Sequence, residues 1–596
     1  MGKILITNDT RWESDLKTCF EDAGFHSSYS QNGVTAYKKQ YVSNENVYTD
    51  GERTVICVGS WVYNGQVGGE ALRLLADDFF GLGIELQYIR NNLIGTFACV
   101  IKDRDVAYVF VDGTHTYALY YFIGNGKFLI TNTYYHIARE ITAEINNNIL
   151  VLQLAKTGLC DKETPFTGVC RLLEDSCICI RNGMARIEDM NVNSSTYKFR
   201  NTDEAVSCLI EKSLYISKAF SRSSKKKLLF ATGGLDSRLK LAIDLHNGND
   251  TMLAYWKGLD SITNGTSKDW EINVGLAKKF NLESRLFDVS ESFEKCIEKL
   301  DLNECNRFGE YASIYAHNSK WLHMAEEIAN LGVDEIEMGY DPDILRMENA
   351  IVKSFGKNYS VENLIANACF RNGIFTKVLS MPDVFQLAYD DLKRLTATMD
   401  KSDLSIDEAT ILFNYSRLDM GMGLNNFFNQ YYYSIPLMYT KPLWDIISAI
   451  PCDYKEDDAV SLRYIYNVHK ELLDLPVFSH NNLMLLDKSS LKLRYPVKKK
   501  VMFMIRDTIY RTPIYDRVYL RYFEKKLFPE KSENGRLFDA CIKSLQSMDL
   551  VGKLNISIRD NPAKGGFDLP ALCACIAKLK LYDLYSRQKE NSFLYQ

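Results

Sequence analysis

Proline is scarce in this 596-residue chain, at 12, and histidine scarcer still, at 8. No stretch reaches the roughly 18 to 20 apolar residues that a membrane-spanning helix needs. The N-terminus lacks the basic start and continuous apolar run of a signal peptide. After Met1-Gly2, position 6 is Ile6 rather than the Ser or Thr that N-myristoylation requires. These absences lead us to expect a cytoplasmic protein with no membrane partner. The 15 cysteines contain no C-x-x-C pair, and only Cys177-x-Cys179 and Cys573-x-Cys575 stand close together. That spacing argues against zinc and against a disulfide framework, and for thiols buried as core residues in a reducing compartment. A basic balance is missing too. A net charge of -5 with 25% charged residues is not the composition of a nucleic-acid binder, so no nucleic-acid partner is expected.

What the chain does have is ample apolar content, 46%, and a length too great for one core. At about 150 residues per domain, three or four units are expected. From residue 1 to 195, short alternating strands are punctuated by turns: Lys3–Asn8, Thr54–Gly59, Gly95–Lys102, Ala107–Asp112, Tyr117–Ile123 and Lys127–Thr131. Helices are predicted over Gly69–Leu82 and Ile149–Thr157, which makes this an α+β region of antiparallel pairs. From Asp203 onward strand and helix alternate, so a parallel sheet is expected, with its ligand at the carboxyl ends of the strands. Beyond residue 360 the pattern is helical, including Ile406–Asn426, Lys441–Ile450, Val460–Leu473 and segments at 498–525, 536–549 and 568–588.

One stretch organises the rest. In Lys227-Leu-Leu-Phe-Ala231-Thr232-Gly233-Gly234-Leu235-Asp236-Ser237, an apolar strand leads through a Gly-Gly turn into a helix. Two glycines let the backbone approach an anion, Thr232 and Ser237 add hydroxyls, and the helix start supplies unpaired N–H groups with partial positive charge. Asp236 beside phosphate implies a divalent cation between them, so Mg2+ is expected. The competing reading is an ordinary βα turn with Asp236 or Ser237 as N-cap. No Gly-Lys-Ser/Thr follows, so this is not a Walker loop. A second strand, Glu335–Met338, ends in Gly339-Tyr340-Asp341-Pro342-Asp343, which places Asp343 as a second acid at a strand end. Trp256 and Lys257 close the strand Thr251–Lys257 and would flank a nucleotide base, although an aromatic in a buried strand is more often core.

Thr232 to Ser237 resembles the Ser-Gly-Gly-x-Asp-Ser pyrophosphate loop of the ATP pyrophosphatase families, with Thr232 for the first serine. Leu93-Ile94-Gly95-Thr96-Phe97-Ala98, and Val111-Asp112-Gly113 followed by Tyr117-Ala118-Leu119-Tyr120-Tyr121, resemble segments of the glutaminase-like domain of asparagine synthetases. The whole is similar to the asparagine synthetase and β-lactam synthetase superfamily, which includes lasso-peptide cyclases. The resemblance implies an Ntn-hydrolase-like sandwich over 1–195. It implies an α/β ATP-pyrophosphatase domain over 200–500 and a C-terminal helical extension over 501–596. It implies ATP and Mg2+, with Thr232, Gly233, Gly234, Leu235, Asp236, Ser237, Trp256, Lys257, Met338 and Gly339 toward the nucleotide and Asp236 and Asp343 toward the metal. Tyr340 stands where β-lactam synthetases carry a tyrosine base, and Arg463, by a one-residue slip, where the family carries a lysine. Asp341 and Ile344 depart from the asparagine synthetase pattern at this second loop.

The implied activity is adenylation of a carboxylate followed by amide formation. A glutaminase of this family needs cysteine as its first mature residue. Here the chain reads Met1-Gly2-Lys3, so the sandwich is expected to be inactive. The amine is then expected on the same small-molecule or peptide substrate, with a leader-peptide-processing protein as a further partner. An intermolecular ligase using ammonia or a separate amine, and a non-catalytic nucleotide-binding scaffold, are the alternatives.

Overall fold

The computed structural model describes residues 2–39, 45–155, 162–190, 197–222, 226–257, 267–291, 295, 298, 319–339, 344–346, 378–381, 383–384, 386–390, 404–416, 423–479, 482–487, 489–494, 533–559 and 569–594. Two six-stranded antiparallel sheets stack face to face in the first part of the chain. One runs β10 (Cys170–Arg171), β8 (Tyr120–Gly124), β9 (Lys127–Thr131), β1 (Lys3–Thr7), β3 (Val34–Lys39), β2 (Phe25–Gln31). The other runs β12 (Met184–Asp189), β11 (Ser176–Arg181), β7 (Val106–Val111), β6 (Leu93–Asp103), β5 (Arg53–Tyr63), β4 (Val47–Asp50). Strand alternation sets the layers: Ile4 and Ile6 of β1 meet Ile56, Val58, Ala98, Val100 and Val109 in the core between the sheets. The opposite face of β5, with Val55, Cys57, Trp61 and Tyr63, lies under α2 (Gly68–Ala76) and α3 (Leu86–Asn92).

Leu5 and Tyr37 point outward from the first sheet, under α1 (Thr10–Asp22), α4 (Tyr134–Ile141) and α5 (Asn147–Ala155). Helix α1 buries Trp12, Leu16 and Phe20, a four-residue spacing on one face, and Asp9 caps it by accepting the N–H groups of Arg11 and Trp12. The chain's last helices, Glu533–Gln546, Asp549–Lys553 and Leu569–Leu594, come back to this outer layer and share its core. Tyr582 meets Tyr134 hydroxyl to hydroxyl at 2.9 Å, and the Tyr585 hydroxyl donates to the carbonyls of Ala138 and Ala143. Nearby, β17 (Leu379–Ser380) pairs antiparallel with β22 (Ser557–Ile558).

A five-stranded parallel sheet forms the second half. Its order is β15 (Ser284–Asp288), β14 (Thr251–Lys257), β13 (Lys227–Phe230), β16 (Glu335–Met338), β18 (Tyr433–Ser434). α6 (Thr202–Ser221), α7 (Leu235–Asn247) and the helices Lys441–Ser448 and Ala459–His469 cover one face. Trp321 and Phe428, from helices Ser319–Asn330 and Gly423–Asn429, cover the other. α8 (Ser267–Phe280) follows β14. Phe230 is level with Ala254 and with Met338, so β13 and β16 end together while β14 runs on to Lys257.

Buried hydrogen bonds join the two halves. Ser60 donates to Asn429 Oδ1 at 2.5 Å and accepts from the N–H of Ser434, and Asn426 Nδ2 donates to the Thr116 carbonyl at 2.7 Å. Asp112, buried, accepts the N–H groups of Thr114, Thr116 and Tyr117, and the Thr114 hydroxyl reaches the Tyr439 carbonyl. That inward turn delays the next strand to Tyr120, three residues after the predicted start at Tyr117. Tyr415, on helix Ile406–Ser416, donates to Glu174 Oε1 at 2.8 Å, while His115 Nδ1 lies 2.5 Å from Glu174 Oε2. The helix predicted over Ile406–Asn426 occurs as Ile406–Ser416 and Gly423–Asn429, with 417–422 outside the described residues. The predicted helical segment at 498–525 also lies outside them.

Candidate functional site

β13 ends at Phe230 in the middle of the parallel sheet, and the chain bends through Ala231–Gly234 into α7. Ser237 ties the bend: its Oγ donates to the Thr232 carbonyl and accepts the Thr232 N–H, both at 3.1 Å. The Thr232 hydroxyl accepts the N–H of Gly234 at 3.3 Å. Gly233 is required by space. A Cβ there would lie 2.7 Å from Ile272 Cδ1 and 2.8 Å from Phe478 Cβ. Gly234 is the N-cap of α7 and carries no side chain to cap it, so the positive end of the helix dipole opens on the bend. Asp236 stands in that first turn.

Two residues that the sequence pattern did not single out hold the bend in place. Asp269 Oδ1 accepts the Gly233 N–H at 2.9 Å, so this amide is already engaged within the protein. Arg238, fully buried, donates to the carbonyls of Leu472 (2.9 Å), Leu475 (2.7 Å) and Gly233 (3.3 Å), and to that of Pro476. Burial draws its pKa down to about 9. Phe478 closes the same side. It opens a small antiparallel sheet of β19 (Val477–Ser479), β20 (Asn482–Asp487) and β21 (Lys492–Arg494), and its N–H donates to the Gly233 carbonyl at 2.8 Å. Nothing local to the bend announces these partners; Arg238 alone is adjacent to it, and its acceptors other than Gly233 lie more than 230 residues away.

Met338 is buried at the end of β16, and a Cβ on Gly339 would lie 2.3 Å from the Phe230 carbonyl and 2.8 Å from Ser237 Cβ. Only glycine allows β16 to leave the sheet this close to the bend. Tyr340, Asp341 and Asp343 lie outside the described residues. Ile344 and Leu345, next described, are buried beside Leu239, and they fix Arg346. Arg346 Nη2 stands 2.8 Å from Asp236 Oδ1, and its Nε 3.6 Å from Asp458 Oδ1.

The other predicted positions sit further out. Trp256 meets Phe230 edge-on at 4.9 Å and Trp321 at 5.7 Å, so its ring belongs to the core under helix Ser319–Asn330. Lys257 stands 3.8 Å from Asp288 across β14 and β15. Arg463, on helix Ala459–His469, lies 3.5 Å from Asp203 of α6 rather than on the bend.

Beneath the bend, five charges share a buried cluster. Lys227 Nζ lies 3.0 Å from Glu335, 3.3 Å from Glu337 and 3.4 Å from Asp244, and Lys240 lies 3.6 Å from Glu337. Burial first, then the charge of Glu337, lifts the Asp244 carboxyl to about 6. Three acids thus face two lysines in this cluster, one negative charge in excess.

Magnesium requires hard oxygen donors, and Asp236, at the head of α7, supplies one beside the place for phosphate. Among the described residues no group of three or more His, Cys, Asp or Glu side chains gathers as a complete metal cage. Among the described residues, no helix is long and apolar enough to cross a membrane.

The chain matches no family profile, and no curated protein matches it. Among solved structures it is similar to glutamine phosphoribosylpyrophosphate amidotransferase from B. subtilis complexed with ADP and GMP. That match has 8% identity over 48% of this chain and 66% of that one, with a TM-score of 0.23. It is also similar to glutamine-dependent NAD+ synthetase from Acinetobacter baumannii in complex with ADP, at 14% identity over 33% of this chain and 41% of the other, TM-score 0.17. A third, an allosteric regulatory enzyme of purine biosynthesis, gives 10% identity over 48% and 58%, TM-score 0.19. The chain thus spans less than two thirds of each of these three proteins. At these scores the whole folds do not superpose, and the site is to be judged by its own geometry.

Proposed function

We propose that this protein is an ATP-dependent carbon–nitrogen ligase, AMP-forming, built from an Ntn-hydrolase-like sandwich and an ATP-pyrophosphatase-like domain. The observation that carries the reading is the hydroxyl-lined Gly-Gly bend at the end of the central parallel strand, opening on an uncapped helix start. The α7 amides and the Thr232 hydroxyl bind the β- and γ-phosphates, while Ser237 holds the Thr232 backbone in place. A substrate carboxylate attacks the α-phosphorus, pyrophosphate leaves, and an amine displaces AMP from the acyl-adenylate. Asp236 and Asp343 would hold Mg2+, which when bound would neutralise phosphate charge. Tyr340 takes the amine proton.

The amine comes from outside the sandwich. Gly2 opens β1 at φ +107°, and a Cβ there would lie 2.1 Å from the Tyr37 carbonyl oxygen. A side chain larger than glycine's is not accommodated at that position in this fold. Ring closure on the substrate's own amine is the form we favour.

Pyrophosphate release, screened over candidate carboxylic acids and peptides, tests the reading. We expect release with a cognate acid, a product lighter than its precursor by one water, and loss of both in Asp236→Asn. A product joined to a second amine would move the reading to an intermolecular ligase. Nucleotide binding without turnover on any acid would leave a scaffold, and turnover surviving Asp236→Asn would remove the metal role of that residue.

A further inference from the structure

We propose that Arg346 is the cation built into this site, and that its guanidinium passes from Asp236 to the phosphate oxygens of a bound nucleotide. The inference rests on the nucleotide reading of the Thr232–Ser237 bend and adds to it a residue that the motif does not contain.

Asp236 occupies the first turn of α7, where a carboxylate is favoured by the helix dipole when no ligand is present. The same carboxylate repels an arriving phosphate unless positive charge stands beside it. The structure places that charge at 2.8 Å, in Arg346 Nη2. Asp458, the residue before helix Ala459–His469, steadies the other edge of the guanidinium at 3.6 Å from Nε. Ile344 and Leu345, just before Arg346 in the chain, are buried in the core that also holds Leu239 of α7.

The side chains of Arg346 and Asp236 keep 29% and 17% of their surface exposed, so the pair is partly buried yet still reached by solvent. Carboxylate and phosphate offer a guanidinium the same pair of oxygens at the same spacing. Arginine can therefore exchange one for the other without leaving its position, whereas lysine binds phosphate only as a point charge.

Calorimetric titration of the full chain with ATP, once with Mg2+ and once with EDTA, tests the proposal. The proteins compared are wild type, Arg346→Ala, Arg346→Lys and, as an exposed control, Arg200→Ala. We expect Arg346→Ala to weaken ATP binding roughly 10- to 100-fold in both buffers, the range for a lost hydrogen bond to a charged group. Arg346→Lys should recover part of the loss, and Arg200→Ala should match wild type. Circular dichroism establishes that each variant is folded; should the alanine variant fail to fold, the intermediate affinity of the lysine variant decides. Affinity in Arg346→Ala equal to that of wild type overturns the proposal, and so does tighter binding, which would make Arg346 a plug rather than a ligand. Wild type that takes up no ATP in either buffer sinks the nucleotide reading itself, and this inference with it.

Discussion

At the scale of single residues, the bend is built by close approach. Gly233 is wedged between Ile272 and Phe478, and Gly339 between the Phe230 carbonyl and Ser237. Gly233→Ala should therefore cost about 1–3 kcal/mol by overpacking and should push Phe478 off the loop. Chemical denaturation reads the first effect as a lower midpoint, and weaker ATP binding reads the second; an unchanged midpoint would show that the neighbours give way freely. The glycines were legible because the chemistry of a phosphate-binding turn is local: a strand, two small residues, a hydroxyl and a helix start fall within one short window. Arg346 was not legible, because Asp236 and its partner are 110 positions apart in the chain and only the folded sheet brings them to 2.8 Å. Asp269 and the carbonyl acceptors of Arg238 were hidden for the same reason.

At the scale of elements, alternation of strand and helix foretold a parallel sheet, since apolar runs buried on both faces do not alternate within themselves. Helix α1 carries a narrow apolar face, Trp12, Leu16 and Phe20, among charged residues, so its sequence signal is weak. The hairpin β19–β20–β21 was missed because its short strands are read only against the bend they cover. The contact between helix Ile406–Ser416 and the sandwich carries a pH dependence. Burial raises the pKa of Glu174, but the charge of His115, with hydrogen bonds from His115, the backbone and Tyr415, outweighs burial and holds it down to about 2. A carboxyl whose pKa is depressed on folding stabilises above its unfolded value and loses that contribution as pH falls. The loss here runs from pH 4.5 down to about 2 and amounts to roughly 3 kcal/mol. Glu174→Gln should flatten this acid limb in a series of denaturation curves against pH; an unaltered slope would place the acid sensitivity elsewhere.

At the scale of the whole molecule, the chain closes on itself. Its last helix, Leu569–Leu594, lies in the outer layer of the sandwich that its first strand opens, with Leu579 and Tyr582 fully buried there. Composition marks that helix as helical, but its partner layer is some 440 residues away, beyond the reach of periodicity. Leu579→Asp should therefore destabilise the sandwich by several kcal/mol through an unpaired buried charge, visible as a lower thermal midpoint. A midpoint equal to wild type would show that the helix is dispensable to the sandwich. The two halves, joined through Ser60, Asn429, Ser434 and Asp112, leave the parallel-sheet edge as the place where nucleotide is expected. The most direct measurement is amide hydrogen exchange across the full chain with and without ATP and Mg2+. The account predicts slowed exchange concentrated at residues 232–239, from the bend through the first turn of α7; protection confined to other segments, or none anywhere, would contradict it.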